Sequence, residues 1–448
     1  MNPLRKVSVA ILSWNGRHHL ETCLDALASQ RDPGVDWEIL VLDNGSTDGT
    51  VSWMRERWGR EVGNGRVRLL ESPVNLGFCA GNNRLVATSD ADAVALLNND
   101  TRPEPEWLGS LVTALASAPE DVAAVSGKIV DWAGERLDFG RGVMTFDGHA
   151  FQLDFRKPLS SARMPKAGEE LAFACGGNML VRRASFLEAG GFDESYFAYL
   201  EDVDLGWRLW SGGERIVFAP EAAVHHRSGA TSDLLGLFNR GFLFERNAFL
   251  TAYKNYEPGL WERILPAVML TLTSRTQALL LENNPGMETL RIDPYSGHIA
   301  NTGGKGPVPP AVQLPPATTW KGFKIRWQGY GPQEFLRRGL RKLGIGEAPA
   351  VPSLERPEPP RLMDERTIAQ FRALHWLLGH LDGAAETRAA VQRRRKRPDR
   401  EIFERFPAYL VPTYPGDAAL FASPGFQAWL PEDLPVVRAR LDEIMEMG

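Results

Sequence analysis

Apolar residues in the first 130 positions follow two spacings. Short, mainly apolar runs, VSVAIL (7–12), WEILVL (37–42), VRLL (67–70), AVALL (93–97) and VAAV (122–125), predict strands. Between them the apolar positions fall three and four apart. Leu20, Cys23, Leu24 and Leu27 make one such face, and Val51, Met54 and Trp58 a second. A helix-like stretch covers 81–87, and Trp107, Leu111 and Leu115 mark another. Strands alternating with helices require crossover connections, hence an α/β, Rossmann-like, mainly parallel sheet covered by helices on both faces.

The strands end in polar clusters: Ser13-Trp14-Asn15, Asp43-Asn44-Gly45-Ser46, Ser72-Pro73-Val74-Asn75 and Asn98-Asn99-Asp100. The second can also cap the helix that follows. A turn explains any one cluster, because Asn and Asp bond to their own backbone. Four at the carboxyl edge of one sheet, where such folds bind ligands, point to a nucleotide site built from Ser13, Trp14, Asn15, Asp43, Asn75, Asn98 and Asp100.

Farther along, CGGNMLV and YLEDVDLGWRLW continue this domain to 232. Residues 233–284 read as helices, with Leu234, Leu235, Phe238 and Phe242 on one face. Residues 285–360 hold 13 of the 31 prolines and predict a linker or extended wrap. Residues 361–448 read as mostly helical and carry a basic run at 393–397, either a solvated surface or a contact for anionic lipid.

Composition narrows the classes. A net charge of −5 gives no field for nucleic acid. Cys23, Cys79 and Cys175 are odd in number and far apart, which excludes a disulfide framework and zinc spacing and favours a reducing, cytoplasmic setting. The apolar N-terminal run is too short for a signal peptide. ILPAVMLTLTSRTQALLL is interrupted by Arg275 and Gln277, so it does not read as a membrane span. FLRRGLRKLG (335–344) mixes leucines with basic residues, as a helix lying at the inner membrane face would. A long helical C-terminal region could also pair subunits.

Asp100, a carboxylate at the sheet edge, suits Mg²⁺ or Mn²⁺, with His225 or His226 as second ligand; adjacent residues in a strand face opposite ways, so one would serve. Glu201, Asp202 and Asp204 read as acids of a helix start, yet their aromatic surroundings suit a general base. Asp43 could accept a pyrimidine N–H and Trp14 could lie against the base. Gly176-Gly177 would let backbone approach a sugar. Gly177, Asn178, Glu201 and Trp207 are the candidate sugar or acceptor contacts.

VSVAILSWNG, LVLDNGSTDGT, SPVNLGFCAGNN, ALLNNDT, CGGNMLVRRASFLEAGGFDESYFAYLEDVDLGWR and AAVHHRSGATS, in this order over residues 5–255, together resemble family 2 glycosyltransferases of the GT-A fold, in the bacterial rhamnosyltransferase-like branch. The resemblance implies that Asp43 reads a uracil or thymine ring, that Asp100 and His226 hold the divalent ion, and that Asp202 is the base of an inverting transfer. It implies a UDP- or dTDP-sugar donor and a glycan or lipid-linked acceptor. Two amides, Asn98 and Asn99, replace acids of the family's fuller metal motif. Two other classes compete. A non-catalytic sugar-nucleotide or glycan-binding protein would need neither Asp100 nor Asp202. A dinucleotide oxidoreductase would need G-x-G-x-x-G where the chain reads SWNGRHHL.

Overall fold

The structure, a computed structural model, describes residues 4–227, 236–282, 365–414 and 416–446. The proline-rich segment 285–360, with FLRRGLRKLG, lies outside them, as do Leu234, Leu235 and the side chain of Phe238.

The predicted strands form, each lengthened by a residue or more. β1 (Lys6–Ser13), β2 (Asp36–Asp43), β3 (Val67–Glu71) and β4 (Ala93–Asn98) run parallel in the order β3-β2-β1-β4. Val7, Val9, Ala10 and Ile11 are wholly buried, as expected where helices cover both faces. The helices between them are α1 (Arg17–Ala28), α2 (Thr50–Arg57), the short α3 (Gly59–Gly63) and α4 (Gly77–Thr88). Leu20, Cys23, Leu24 and Leu27 all face inward from α1. The cluster after β2 does not cap α2: Asp48 accepts the Thr50 N–H instead, while Asp43 bonds within its own loop to Ser46 N–H.

Beyond β4 the sheet departs from a simple parallel series. Short β5 (Thr101–Pro103) and α5 (Trp107–Ser117) lead to β6 (Val122–Asp131), longer than VAAV predicted, and to β7 (Leu137–Phe139), β8 (Gly142–Met144) and β9 (Ala150–Gln152). β10 (Asn178–Arg182) inserts antiparallel between β4 and β6. After α6 (Arg183–Glu188) and α7 (Glu201–Ser211), β11 (Arg215–His226) pairs parallel with β6 and antiparallel with β5. The full order is β3-β2-β1-β4-β10-β6-β11-β5. This mainly parallel sheet flanked by helices is the GT-A architecture.

Helices α8 (Gly236–Asn255) and α9 (Pro258–Glu282) follow. Among the described residues no helix is long and apolar enough to cross a membrane. Within the apolar stretch of α9, Arg275 is buried and its Nη2 donates to Asp417 at 2.8 Å.

Of the helices Glu365–Gly379 and Leu381–Arg394, the second brings polar groups to the end of α8. Gln392 Nε2 donates to the carbonyls of Lys254, Asn255 and Tyr256, which end a helix and lack intrahelical donors. The basic run is not simply a solvated face. Arg395 pairs with Asp399 at 2.7 Å, and Arg397 donates to the carbonyls of Trp210, Gly213 and Glu214 at the end of α7. Arg393, Arg394 and Lys396 remain exposed.

Candidate active site

The carboxyl ends of β1–β4 and the start of α7 enclose a cavity of about 310 Å³. Trp14, Asn44, Asn75, Asn98, Asn99, Asp100, Gly176, Gly177, Glu201, Asp202 and His226 line it, with Phe78, Phe197 and Tyr199 as aromatic wall.

Local turn chemistry builds the nucleotide side of this cavity. Asn44 Nδ2 donates to Asn75 Oδ1 at 2.9 Å, and Asn44 Oδ1 accepts the Leu76 N–H, so one amide pair ties the ends of β2 and β3 together. Gly45 sits at φ +79°, and a Cβ there would meet Val74 backbone at 2.7 Å; only glycine fits. Asp43, at the end of β2, is buried behind the residues that line the cavity rather than among them; its Oδ1 has no hydrogen-bond partner while Oδ2 accepts from Ser46. Burial raises its pKa against the Ser46 bonds. A buried, unpaired carboxylate oxygen is costly and is satisfied by a donor N–H. The indole Nε1 of Trp14 is likewise buried without a partner.

Asp100 and His226 meet on the cavity wall. Asp100 Oδ1 lies 3.3 Å from His226 Nε2, and Asp138 Oδ2 lies 2.7 Å from the other ring nitrogen, Nδ1. Burial alone would lower the imidazole pKa, but hydrogen bonds to the two carboxylates outweigh it and push the pKa up to about 10. Among the described residues no group of three or more His, Cys, Asp and Glu side chains is arranged to hold a metal. The donor set nevertheless fits a two-ligand site. Neighbouring ligands each about 2.1 Å from one octahedral ion stand about 3 Å apart, and such ions keep positions for phosphate and water. A carboxylate behind the ligating imidazole is the usual orienting arrangement. His225 points away, with Nε2 2.5 Å from Glu104, so one histidine of the pair reaches the cavity.

On another wall, α7 begins with Glu201 and Asp202. Asp202 accepts N–H groups from Gly176 at 3.2 Å and Val203 at 2.9 Å. Glu201 is only 7% exposed, and its Oε2 has no partner. Burial raises both pKa values, that of Asp202 to about 6, and the Asp202 charge adds to the upward shift of Glu201. The turn before them is strained: Phe197, Tyr199 and Leu200 all have φ between 63° and 71°, conformations costing on the order of 1–3 kcal/mol each for non-glycine residues. Asp204 faces the other way, to Arg208 and Lys254.

Not every predicted contact reaches the cavity. Asn178 is fully buried: its Oδ1 accepts from Trp107 Nε1, and its Nδ2 donates to the carbonyls of Lys128 and Ala222. Trp207, on α7, is buried against Tyr256 and Phe403, and its Nε1 donates to Asp399. Neither can touch a sugar or acceptor. Ser13 is buried and its Oγ accepts from Asn99, while Asn15 accepts the Thr47 N–H, so both shape the first loop rather than line the cavity. Asn99, second in the amide pair, therefore pins that loop. Asp138 was missed by sequence reasoning: one acid in a three-residue strand carries no pattern. Phe78, on the first turn of α4, offered only its aromatic character.

The sequence profile of glycosyl transferase family 2 matches residues 8–190. An N-acetylglucosaminyl-diphospho-decaprenol L-rhamnosyltransferase of Mycobacterium tuberculosis is 32% identical over 247 residues, which span 50% of this chain and 76% of that protein. The O-antigen biosynthesis protein RfbC of Myxococcus xanthus is 30% identical over 235 residues, 50% of this chain but 18% of its own length. Among solved structures, GalNAc-T7 with UDP, GalNAc and Mn²⁺ aligns at 14% identity with a TM-score of 0.47, covering 60% of this chain and 52% of that one.

Proposed function

The chain belongs to glycosyl transferase family 2, and on that premise we propose that it moves a sugar, with inversion, from a UDP- or dTDP-sugar to a hydroxyl of a glycan or lipid-linked acceptor. The observation that carries this reading is the occupancy of one cavity by two kinds of chemistry: the Asp100–His226 pair and the buried Asp202 carboxylate. The similarity to a rhamnosyltransferase acting on a diphospho-lipid favours a rhamnose donor and a cell-envelope polysaccharide product.

In this mechanism Trp14 lies against the pyrimidine, and Asp43 Oδ1 accepts its ring N–H. Asp100 and His226 would hold Mn²⁺ or Mg²⁺, with Asp138 fixing the imidazole so that Nε2 faces the cavity. Such an ion supplies Lewis-acid neutralisation of the charge that grows on the diphosphate. Asp202 takes the proton of the acceptor hydroxyl as that oxygen attacks the anomeric carbon. The bond from that carbon to the diphosphate oxygen breaks, its electron pair leaving with the nucleotide, and a single displacement inverts the configuration. Burial suits Asp202 to the task, since a carboxylate with a pKa near 6 is still ionised at neutral pH and more basic than an exposed one. A lipid-linked acceptor would bring the protein to a membrane surface.

The test is transfer from dTDP- and UDP-sugars to an N-acetylglucosaminyl-diphospho-polyprenol, followed by mass spectrometry of the lipid. Asp202→Asn should lower kcat by about 10²–10⁴-fold while nucleotide affinity stays unchanged. Nucleotide binding without turnover by the wild type on any donor would favour the non-catalytic binding protein instead.

A further inference from the structure

The turn that delivers Glu201 and Asp202 is held from behind by α8, a helix beyond the residues matched by the family profile. Phe197, at φ 63° and ψ −57°, is the centre of a γ-turn of the rarer hand, closed by the Ala198 N–H to the Tyr196 carbonyl at 2.7 Å. Tyr199 and Leu200 follow, also at positive φ, and α7 starts at the next residue. None of the three is a glycine, so the conformation persists only because its surroundings over-determine it.

Asn247 supplies that constraint. Fully buried on α8, it aims its amide nitrogen at three carbonyls of the turn: Tyr196 at 3.2 Å, Ala198 at 2.8 Å and Tyr199 at 2.7 Å. Its own oxygen accepts from Arg246 Nε at 3.0 Å, which fixes the amide with nitrogen towards the turn, and Arg246 Nη2 adds a 2.8 Å bond to the Tyr196 carbonyl. The remaining carbonyl, of Phe197, faces the opposite way and accepts the N–H groups of Phe78 and Cys79 in the first turn of α4. The Leu200 carbonyl then accepts the Asp204 N–H inside α7. The start of α7, and Asp202 with it, is thereby referenced to one amide on α8.

We propose that Asn247 is a positioning residue: its side-chain amide holds the turn 196–200, with Phe197, Tyr199 and Leu200 at positive φ, and so sets the Asp202 carboxylate against the acceptor. The proposal rests on the reading of Asp202 as the base. It makes the helices after the sheet a working part of the active site rather than an appendage.

The test compares wild type, Asn247→Asp (the same size without the N–H donors) and Asn247→Ser, the smaller variant that keeps a hydroxyl donor in case the first does not fold. Three quantities are read: kcat with donor KM, nucleotide affinity, and amide hydrogen exchange across 196–204. The proposal expects kcat to fall at least tenfold, nucleotide affinity to hold within twofold, and exchange to speed up in 196–204 but not in β1–β4. Unchanged exchange across 196–204 in a folded variant would overturn it, as would unchanged kcat. So would a parallel fall of kcat, nucleotide affinity and sheet protection, which marks general destabilisation. An Asp202→Asn variant that keeps wild-type turnover would sink the base assignment alone, and the exchange comparison would still decide whether Asn247 holds the turn.

Discussion

At the carboxyl edge of the sheet, Asp43 keeps one buried carboxylate oxygen without a partner, Glu201 keeps another, and Trp14 keeps a buried N–H. In the helices that follow, several equally buried charges are consumed internally. Arg275 faces Asp417 and Asp147, Glu245 accepts from the Tyr414 hydroxyl, and Arg395 joins Asp399 to the Asn255 carbonyl. The residue types are alike in the two regions, and only their employment differs. Unmatched polar atoms at the sheet edge are available to a ligand; matched ones in the helices position other elements. Asn247 shows that the second region still reaches the first.

The contrast can be broken in three ways. Arg275→Met removes the cation facing Asp147 and Asp417 in the helical region. Leaving buried carboxylates uncompensated should destabilise the fold by about 3–5 kcal/mol, seen as a lower denaturant midpoint, with nucleotide affinity per folded molecule unchanged. A drop in nucleotide affinity without loss of stability would erase the distinction between the regions. Asp138→Asn keeps the size of the group behind His226 but removes its charge. Nucleotide binding supported by Mn²⁺ should weaken by about 10–100-fold, while binding without metal stays as it was. Equal weakening in both conditions would make Asp138 a packing residue.

The smallest effect concerns pH. Asp202, raised by burial to about 6, must be ionised to accept a proton, so turnover should rise with pH through about 6 and level off above it. Glu201 and the Cys175 thiol share that wall, and burial pushes both of their pKa values up, with the Asp202 charge adding to each shift. A rate that fell with rising pH between 5 and 7 would rule out a carboxylate base.

Much of the nucleotide side was legible because its signals are local. A short, mainly apolar run followed by Asn, Asp and Ser signals both a strand and what its end presents, and β1–β4 follow that rule. The reversed strand β10 was not legible, since NMLVR reads alike in either direction and its direction is set by partners on β4 and β6. Asn178, after two glycines, looked open to a sugar; Trp107, 71 positions away, buries it. The run at 393–397 looked solvated because nothing near it announces that Arg397 will meet the carbonyl end of α7. Asp138 and Asn247 escaped for the same reason, as each acts on residues about 50 to 90 positions away.

The most direct test of the site is calorimetric titration of UDP, dTDP and GDP, each with and without Mn²⁺, into wild type and Asp100→Ala. One pyrimidine nucleotide should bind, strongly aided by Mn²⁺, and the aid should vanish in the variant. Failure of every nucleotide to bind folded wild type, or Mn²⁺-aided binding that survives Asp100→Ala, would contradict the account.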